Sequence, residues 1–354
     1  MNPSRSNRAR TIPLLLTASA VAVAGVVGIT AGQGAAAPSA DKPSYPGRSA
    51  KFKRPKLQHG VLAIRGTDST EKIALRLRAG EPNVLQVDVG DDGSADFEVE
   101  RTAVAKIVVR ARSGADVVRV DETNGAFTDQ IPTTISGDGG NDTISGGRGV
   151  ETLLGGAGDD SIDGNGGNDV SELGPGDDAF VWDPGDGSDQ VEGQSGLDTM
   201  LFNGAAAGEQ VDVSANGTRL RFFRQPGNIT MDTEGVERVA FEALGGADVV
   251  TVGNLTGTGV GTLEVDLAGA LGGATGDGQA DRIVVNATDG DDIINVNGDP
   301  GGVKASGLAA TVVILHSEAS DRLEVNTLAG TDTVDSGGLA AGAIALLVDG
   351  VLVP

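Results

Sequence analysis

Cysteine is absent and histidine occurs only at His59 and His316, so the chain can build neither a disulfide framework nor a thiolate metal cage, and its residue types point away from zinc chemistry. Aromatic residues make up 3% of the chain. A core of bulky rings is therefore out of reach, and burial must come from many Val, Ile, Leu and Ala side chains, which stacked short strands provide. Positive charge is scarce: 26 basic side chains face 50 acidic ones, a formal charge of −24. Such a surface repels nucleic-acid phosphates and anionic membranes, and it needs cations before it can compact. Glycine, by contrast, is abundant at 56 of 354 residues, about twice its usual share. No every-third-residue repeat accompanies it, which excludes collagen, and 39% hydrophobic residues exclude wholesale disorder.

Arg5, Arg8 and Arg10 precede an apolar run from Ile12 to about Ala31 and the small residues Gly34 to Ala37. This is the layout of a secretory signal peptide over residues 1–36. An uncleaved anchor is the alternative, because about 20 apolar residues span a bilayer. The expected mature chain is secreted or held at the cell surface, with no membrane contact once the signal is removed. Its formal charge moves from −24 to −27 with loss of the three arginines. Residues 37–56 read as a basic, proline-containing linker. Its charge suits an anionic cell-wall polymer, but the composition is first that of a solvated spacer.

The segment from Gly137 to Leu201 divides into nine-residue units: GDGGNDTIS, GGRGVETLL, GGAGDDSID, GNGGNDVSE and LGPGDDAFV, then an interrupted unit and GQSGLDTML. The sixth position holds Asp142, Glu151, Asp160, Asp169, Asp178, Asp189 and Asp198, nine residues apart except for eleven between Asp178 and Asp189. Glycines at the first, second and fourth positions allow tight turns and close backbone approach. The last three residues suit a short strand whose eighth position points inward, at Ile144, Leu153, Ile162, Phe180, Val191 and Met200. Two units then make one coil. Residues eighteen apart stack, with Asp142, Asp160 and Asp178 on one edge and Glu151 over Asp169 on the other. Carboxylates ~4.8 Å apart repel by ~0.9 kcal/mol per pair even in water. A hard divalent cation between coils removes that penalty, and glycine-rich turns offer the carbonyl oxygens that calcium prefers over magnesium's tight octahedron. Several bound Ca2+ ions are expected.

These units resemble the nonapeptide of the RTX, or hemolysin-type, calcium-binding family, and the whole chain resembles secreted actinobacterial-type calcium-binding proteins. The resemblance implies a parallel β-roll with calcium between coils. It implies ligands at Asp142, Asp160, Asp169, Asp178, Asp189 and Asp198, with carbonyls from Gly137, Gly140, Gly155, Gly158 and Gly164. The sequence departs from the pattern at Glu151, at Ser171 in an inward position, and at the two extra residues near Trp182; empty or distorted turns are expected there.

A looser echo runs through both flanks: SGADVVRV at Ser113 and GGADVVTV at Gly245 agree at six of eight positions. Short β-branched strands fill the intervals. The expected fold is all-β, a parallel β-roll at residues 136–203 flanked by strand-rich, β-solenoid-like regions at 57–135 and 204–354, with a separate β-sandwich in either flank as the alternative. The flank acids Asp116, Asp248, Asp281, Asp292, Asp321 and Asp332 are read as turn residues.

Nothing in the chain reads as an enzyme. Asp335-Ser336-Gly337-Gly338 resembles a serine-protease signature, but neither histidine sits in a partner motif. Arg219, Arg221 and Arg224 near Phe222 and Phe223 are the basic candidates for a polysaccharide lyase, and strand alternation explains them more simply. The leading expectation is an exported calcium-binding structural or binding protein. The alternatives are a calcium-dependent polysaccharide-active enzyme and a surface adhesin, with cell-wall or extracellular polysaccharide as the partner.

Overall fold

The computed structural model describes residues 52–354. The expected signal peptide and most of the linker lie outside the described residues, and the linker's last residue, Lys56, opens the first strand, Lys56–Gln58. Apart from one 3-10 turn at Arg101–Ala103, every regular element described is a strand.

Among the described residues the strands form two sheets, of fifteen and fourteen strands. Through the repeat the chain alternates between them. Glu151–Ala157, Val170–Pro175 and Gln190–Ser195 lie side by side and parallel in the first sheet. Thr143–Ser145, Ser161–Asp163, Ala179–Trp182 and Thr199–Asn203 do so in the second. The register is the one the spacing dictates, with Thr143 opposite Ser161 and Ser161 opposite Ala179. The extra residues fall between Trp182 and Gln190, so Ala179 pairs with Thr199, twenty residues on, without any slip in the sheet.

The inward column of the second sheet stacks Ile144, Ile162, Phe180 and Met200, each at most 1% exposed. The facing column runs Ile135, Leu153, Ser171, Val191. Burying an Ile or Leu side chain contributes ~1.5–3 kcal/mol, and the ladder repeats this gain at every coil. Trp182 and Phe180 are fully buried, with Trp182 stacked on Phe202 at 3.9 Å between centroids. They plug the core at the insertion and present no exposed ring to a sugar.

The flanks continue the same two sheets over one hydrophobic core reaching from Leu62 to Leu346. The solenoid is not purely parallel. An antiparallel meander of Gln210–Asn216, Arg219–Gln225 and Ile229–Glu234 widens the first sheet. A second, of Ile293–Asp299, Gly302–Ser306 and Thr311–Leu315, widens the second sheet, and Lys72–Arg78, Glu81–Val89 and Phe97–Glu100 form a third.

Candidate metal centre

The turns entering the second sheet carry Asp142, Asp160, Asp178 and Asp198 on one edge; those entering the first carry Glu151, Asp169 and Asp189 on the other. All seven are at most 3% exposed. They form two ladders. On the first edge, the main-chain N–H of Asp142 donates to Asp160 Oδ1 (2.7 Å), that of Asp160 to Asp178 Oδ1 (2.6 Å), and that of Asp178 to Asp198 Oδ1 (2.9 Å). On the other, Glu151 donates to Asp169 Oδ1 (2.7 Å) and Asp169 to Asp189 Oδ1 (2.8 Å).

Each aspartate therefore has one oxygen satisfied by the preceding coil. The second oxygen, Oδ2, of Asp142, Asp160, Asp169, Asp178, Asp189 and Asp198 is buried without a hydrogen-bond partner. Leaving one such acceptor unmade costs ~1–3 kcal/mol, and more when it is charged. Six in register are not accidental features of a turn.

The turn glycines explain what these oxygens face. A Cβ placed on Gly137 would lie 2.2 Å from Asp142 Oδ2 and 2.5 Å from the Gly155 carbonyl oxygen, so both oxygens converge on one spot. At Gly155 the pair is Asp160 Oδ2 and the Leu173 carbonyl, 2.6 and 2.3 Å from the same construction point, and at Gly193 it is Asp198 Oδ2 and the Gly235 carbonyl. Gly164 faces Asp169 Oδ2, and its own carbonyl points at Gly146 beside Glu151. Gly140 and Gly158 act differently: their carbonyls stack against the fourth-position glycines Gly158 and Gly176 of the following coil. Leu173 and Gly235 were not among the expected carbonyls, although Leu173, eighteen residues after Gly155, was open to the same register argument.

Burial dominates the electrostatics. It pushes Asp160, Asp189 and Asp198 up to about 7, Asp169 to about 8 and Asp142 to about 6, and raises Asp178, against the lowering effect of the ladder N–H. Like charge in adjacent coils adds to this: Asp142 and Asp178 both raise Asp160. The donors are all hard oxygens, a set that suits calcium, magnesium or manganese. Among the described residues no three His, Asp or Glu side chains converge as a cage; a cation here would be held by carboxylate oxygens completed with main-chain carbonyls. The residues present fit such an ion.

Glu151 departs from the others. Its turn glycines Gly147 and Gly149 do not adopt the positive φ found at Asn165 and Gly167 in the next unit of that edge, and its Oε2 accepts from the Gly147 N–H of its own turn at 2.7 Å, while its Oε1, like the aspartate Oδ2 atoms, is buried without a partner. A third ladder escaped the sequence reading. Fifth-position Asn141, Asp159 and Asp177 accept, on the outer surface, from the N–H of Asp159, Asp177 and Leu197 in the following coil. Burial also pushes the carboxyls of Asp163 and Asp186 up to about 6 and about 7.

The residues of the enzymatic alternatives are engaged elsewhere. Arg219 contacts Glu192, Asp232 and Glu234, Arg221 contacts Asp212, and Arg224 pairs with buried Glu209. His316 Nδ1 lies 2.6 Å from Asp266 Oδ1, and Asp335 accepts from the Gly337 N–H within its own turn.

No protein-family model matches the chain, and no curated protein matches it.

Proposed function

We propose that the protein is an exported calcium-binding structural or binding protein whose acidic repeat is ordered by Ca2+, as the resemblance to the RTX nonapeptide implies. The observation that carries the reading is the file of buried, partnerless Oδ2 atoms at Asp142, Asp160, Asp178 and Asp198, matched by Asp169 and Asp189 on the opposite edge. Six carboxylate oxygens buried without a donor, three of them facing a main-chain carbonyl at Asp142, Asp160 and Asp198, are what a bound cation would relieve. Asp142, Asp160, Asp169, Asp178, Asp189 and Asp198 would hold the ions, with carbonyls such as those of Gly155, Gly164 and Leu173. The ion supplies positive charge that offsets the repulsion between coils.

Export rests on the arginine-flanked apolar run of the first 36 residues. An ion bound only by the ordered state stabilises that state by mass action, ~2.7 kcal/mol for each site at a hundredfold excess over its Kd. Thermal melts of the chelator-treated full chain, with calcium or magnesium added back, test the reading. A calcium-dependent rise in Tm that magnesium fails to match is expected. Identical melts in calcium and in chelator refute it.

A further inference from the structure

The repeat turn has a backbone signature independent of its glycines. On the Asp142 edge the second position has positive φ in every coil: Asp138 (70°), Gly156 (117°), Gly174 (119°) and Gln194 (74°). The fourth position follows suit at Gly140 (117°), Gly158 (126°), Gly176 (150°) and Gly196 (143°). Three flank turns share the signature. Arg112 (90°) and Gly114 (132°) precede Asp116, Leu244 (65°) and Gly246 (119°) precede Asp248, and Leu328 (63°) and Gly330 (124°) precede Asp332. An arginine with φ of +90° is costly for an L-residue, so the coil geometry, not the local sequence, holds this turn in shape.

Only one of the three reproduces the hydrogen-bond ladder and the partnerless buried oxygen of the repeat, although Ala111 stands where Gly137, Gly155 and Gly193 open turns of this edge. Asp116 is 1% exposed, its Oδ1 accepts from the Glu71 N–H at 2.6 Å, and its Oδ2 is buried without a partner. Its own N–H donates to Asp142 Oδ1 at 2.7 Å, which makes it the next rung of the ladder. The Gly114 N–H donates to the Gly139 carbonyl at 2.9 Å, as the Gly140 N–H does to Ala157 at 2.7 Å. Gly114 and Gly140 stack as Gly140 and Gly158 do: a Cβ on Gly140 would meet the Gly114 carbonyl oxygen at 1.9 Å. Asp248 differs despite its near-identical sequence, because the Asp277 carboxylate takes the Gly246 N–H at 2.8 Å where the repeat has a main-chain carbonyl. Asp332 is half exposed.

The ladder also has a built end. Glu71, one coil before Asp116, accepts from the Thr67 N–H (2.8 Å) and from the Thr67 hydroxyl, so each of its oxygens has a protein donor. The Arg112 guanidinium, four residues before Asp116, is half exposed and turned to Asp68 at 3.0 Å.

We propose that a further calcium ion binds between the coil of Asp116 and the coil of Asp142, outside the nonapeptide array, with Asp116 Oδ2 as its flank carboxylate. The site rests on the calcium reading given above, and it places the start of the ion column one coil earlier than the repeat does. Native mass spectrometry of the full chain in calcium counts the ions. Asp116→Asn, which keeps the acceptor for the Glu71 N–H, is expected to lose one ion relative to wild type, whereas Asp248→Asn loses none. An unchanged count in Asp116→Asn alongside a reduced count in Asp160→Asn overturns this site and leaves the general reading standing. An equal loss in Asp248→Asn overturns the assignment from the ladder geometry, since the count then fails to separate the turn that continues the ladder from the one that does not, and a wild-type chain that binds no calcium ends both. Anomalous diffraction from wild-type crystals soaked in Tb3+ asks the same question without a variant. A peak beside Asp116 Oδ2 is expected, and peaks confined to the nonapeptide turns contradict the proposal.

Discussion

Replacing Asp160 by asparagine separates the charge of the ladder from its hydrogen bonds. The asparagine Oδ1 keeps the bond from the Asp142 N–H, and its Nδ2 stands where Oδ2 now faces the Leu173 carbonyl. Two opposed acceptors become a donor and an acceptor. In the metal-free protein the wild-type carboxyl is raised from 3.8 to about 7, first by burial and then by Asp142 and Asp178. A raised acid holds a proton in the folded state that the unfolded state has released, so its contribution to stability falls as pH climbs from about 4 to about 7 and stays lost above that. The shift corresponds to ~4 kcal/mol at most, and because Asp142 and Asp178 share the repulsion and titrate with it, a single substitution should recover about half, ~2 kcal/mol. Metal-free Asp160→Asn should therefore melt about 4 °C above wild type near pH 8. The two should coincide near pH 4. Excess calcium should invert the order near pH 8, because the variant forfeits the ion's contribution. Thermal unfolding followed by circular dichroism, in chelator and in calcium at each pH, reads all of this. A metal-free variant less stable than wild type by the same amount at both pH values would refute the reasoning.

Two further substitutions probe the stacking itself. Ser171 lies between Leu153 and Val191 in the inward column with its hydroxyl buried and unbonded, so Ser171→Val should raise stability by ~1–2 kcal/mol in chemical denaturation. Gly158→Ala places a Cβ 2.4 Å from the Gly140 carbonyl oxygen at φ of +126° and should cost ~3 kcal/mol or more, whereas Gly80→Ala, at φ +75° with nothing within 4 Å, should cost only ~1 kcal/mol. Equal costs at the two glycines would show that the coils do not pack as tightly as described.

The nine-residue phase made the register of the repeat legible, since once two units make a coil the partners of Thr143, Ser161 and Ala179 follow by counting. The continuity of the flanks was harder to read. The meander from Gln210 to Glu234 adds two strands to the first sheet before the chain resumes the second at Arg238–Glu242, and this breaks the period without breaking the core. A β-sandwich therefore stayed open on sequence alone. Asp116 shows the other limit. Its turn has arginine where the repeat favours glycine, and nothing in SGADVVRV distinguishes it from GGADVVTV around Asp248. What separates them is the partner of one N–H, the Gly139 carbonyl for Gly114 and the Asp277 carboxylate for Gly246, and that depends on which coil comes next.

Calcium titration of the chelated full chain by calorimetry, in buffers of different ionisation enthalpy, addresses the buried carboxylates most directly. Because burial holds Asp160, Asp169, Asp189 and Asp198 up to about 7 or 8, binding near pH 6 should take up several ions and release protons from these groups, and the release should vanish near pH 9. Binding without proton release near pH 6, or no binding at all, would contradict the account.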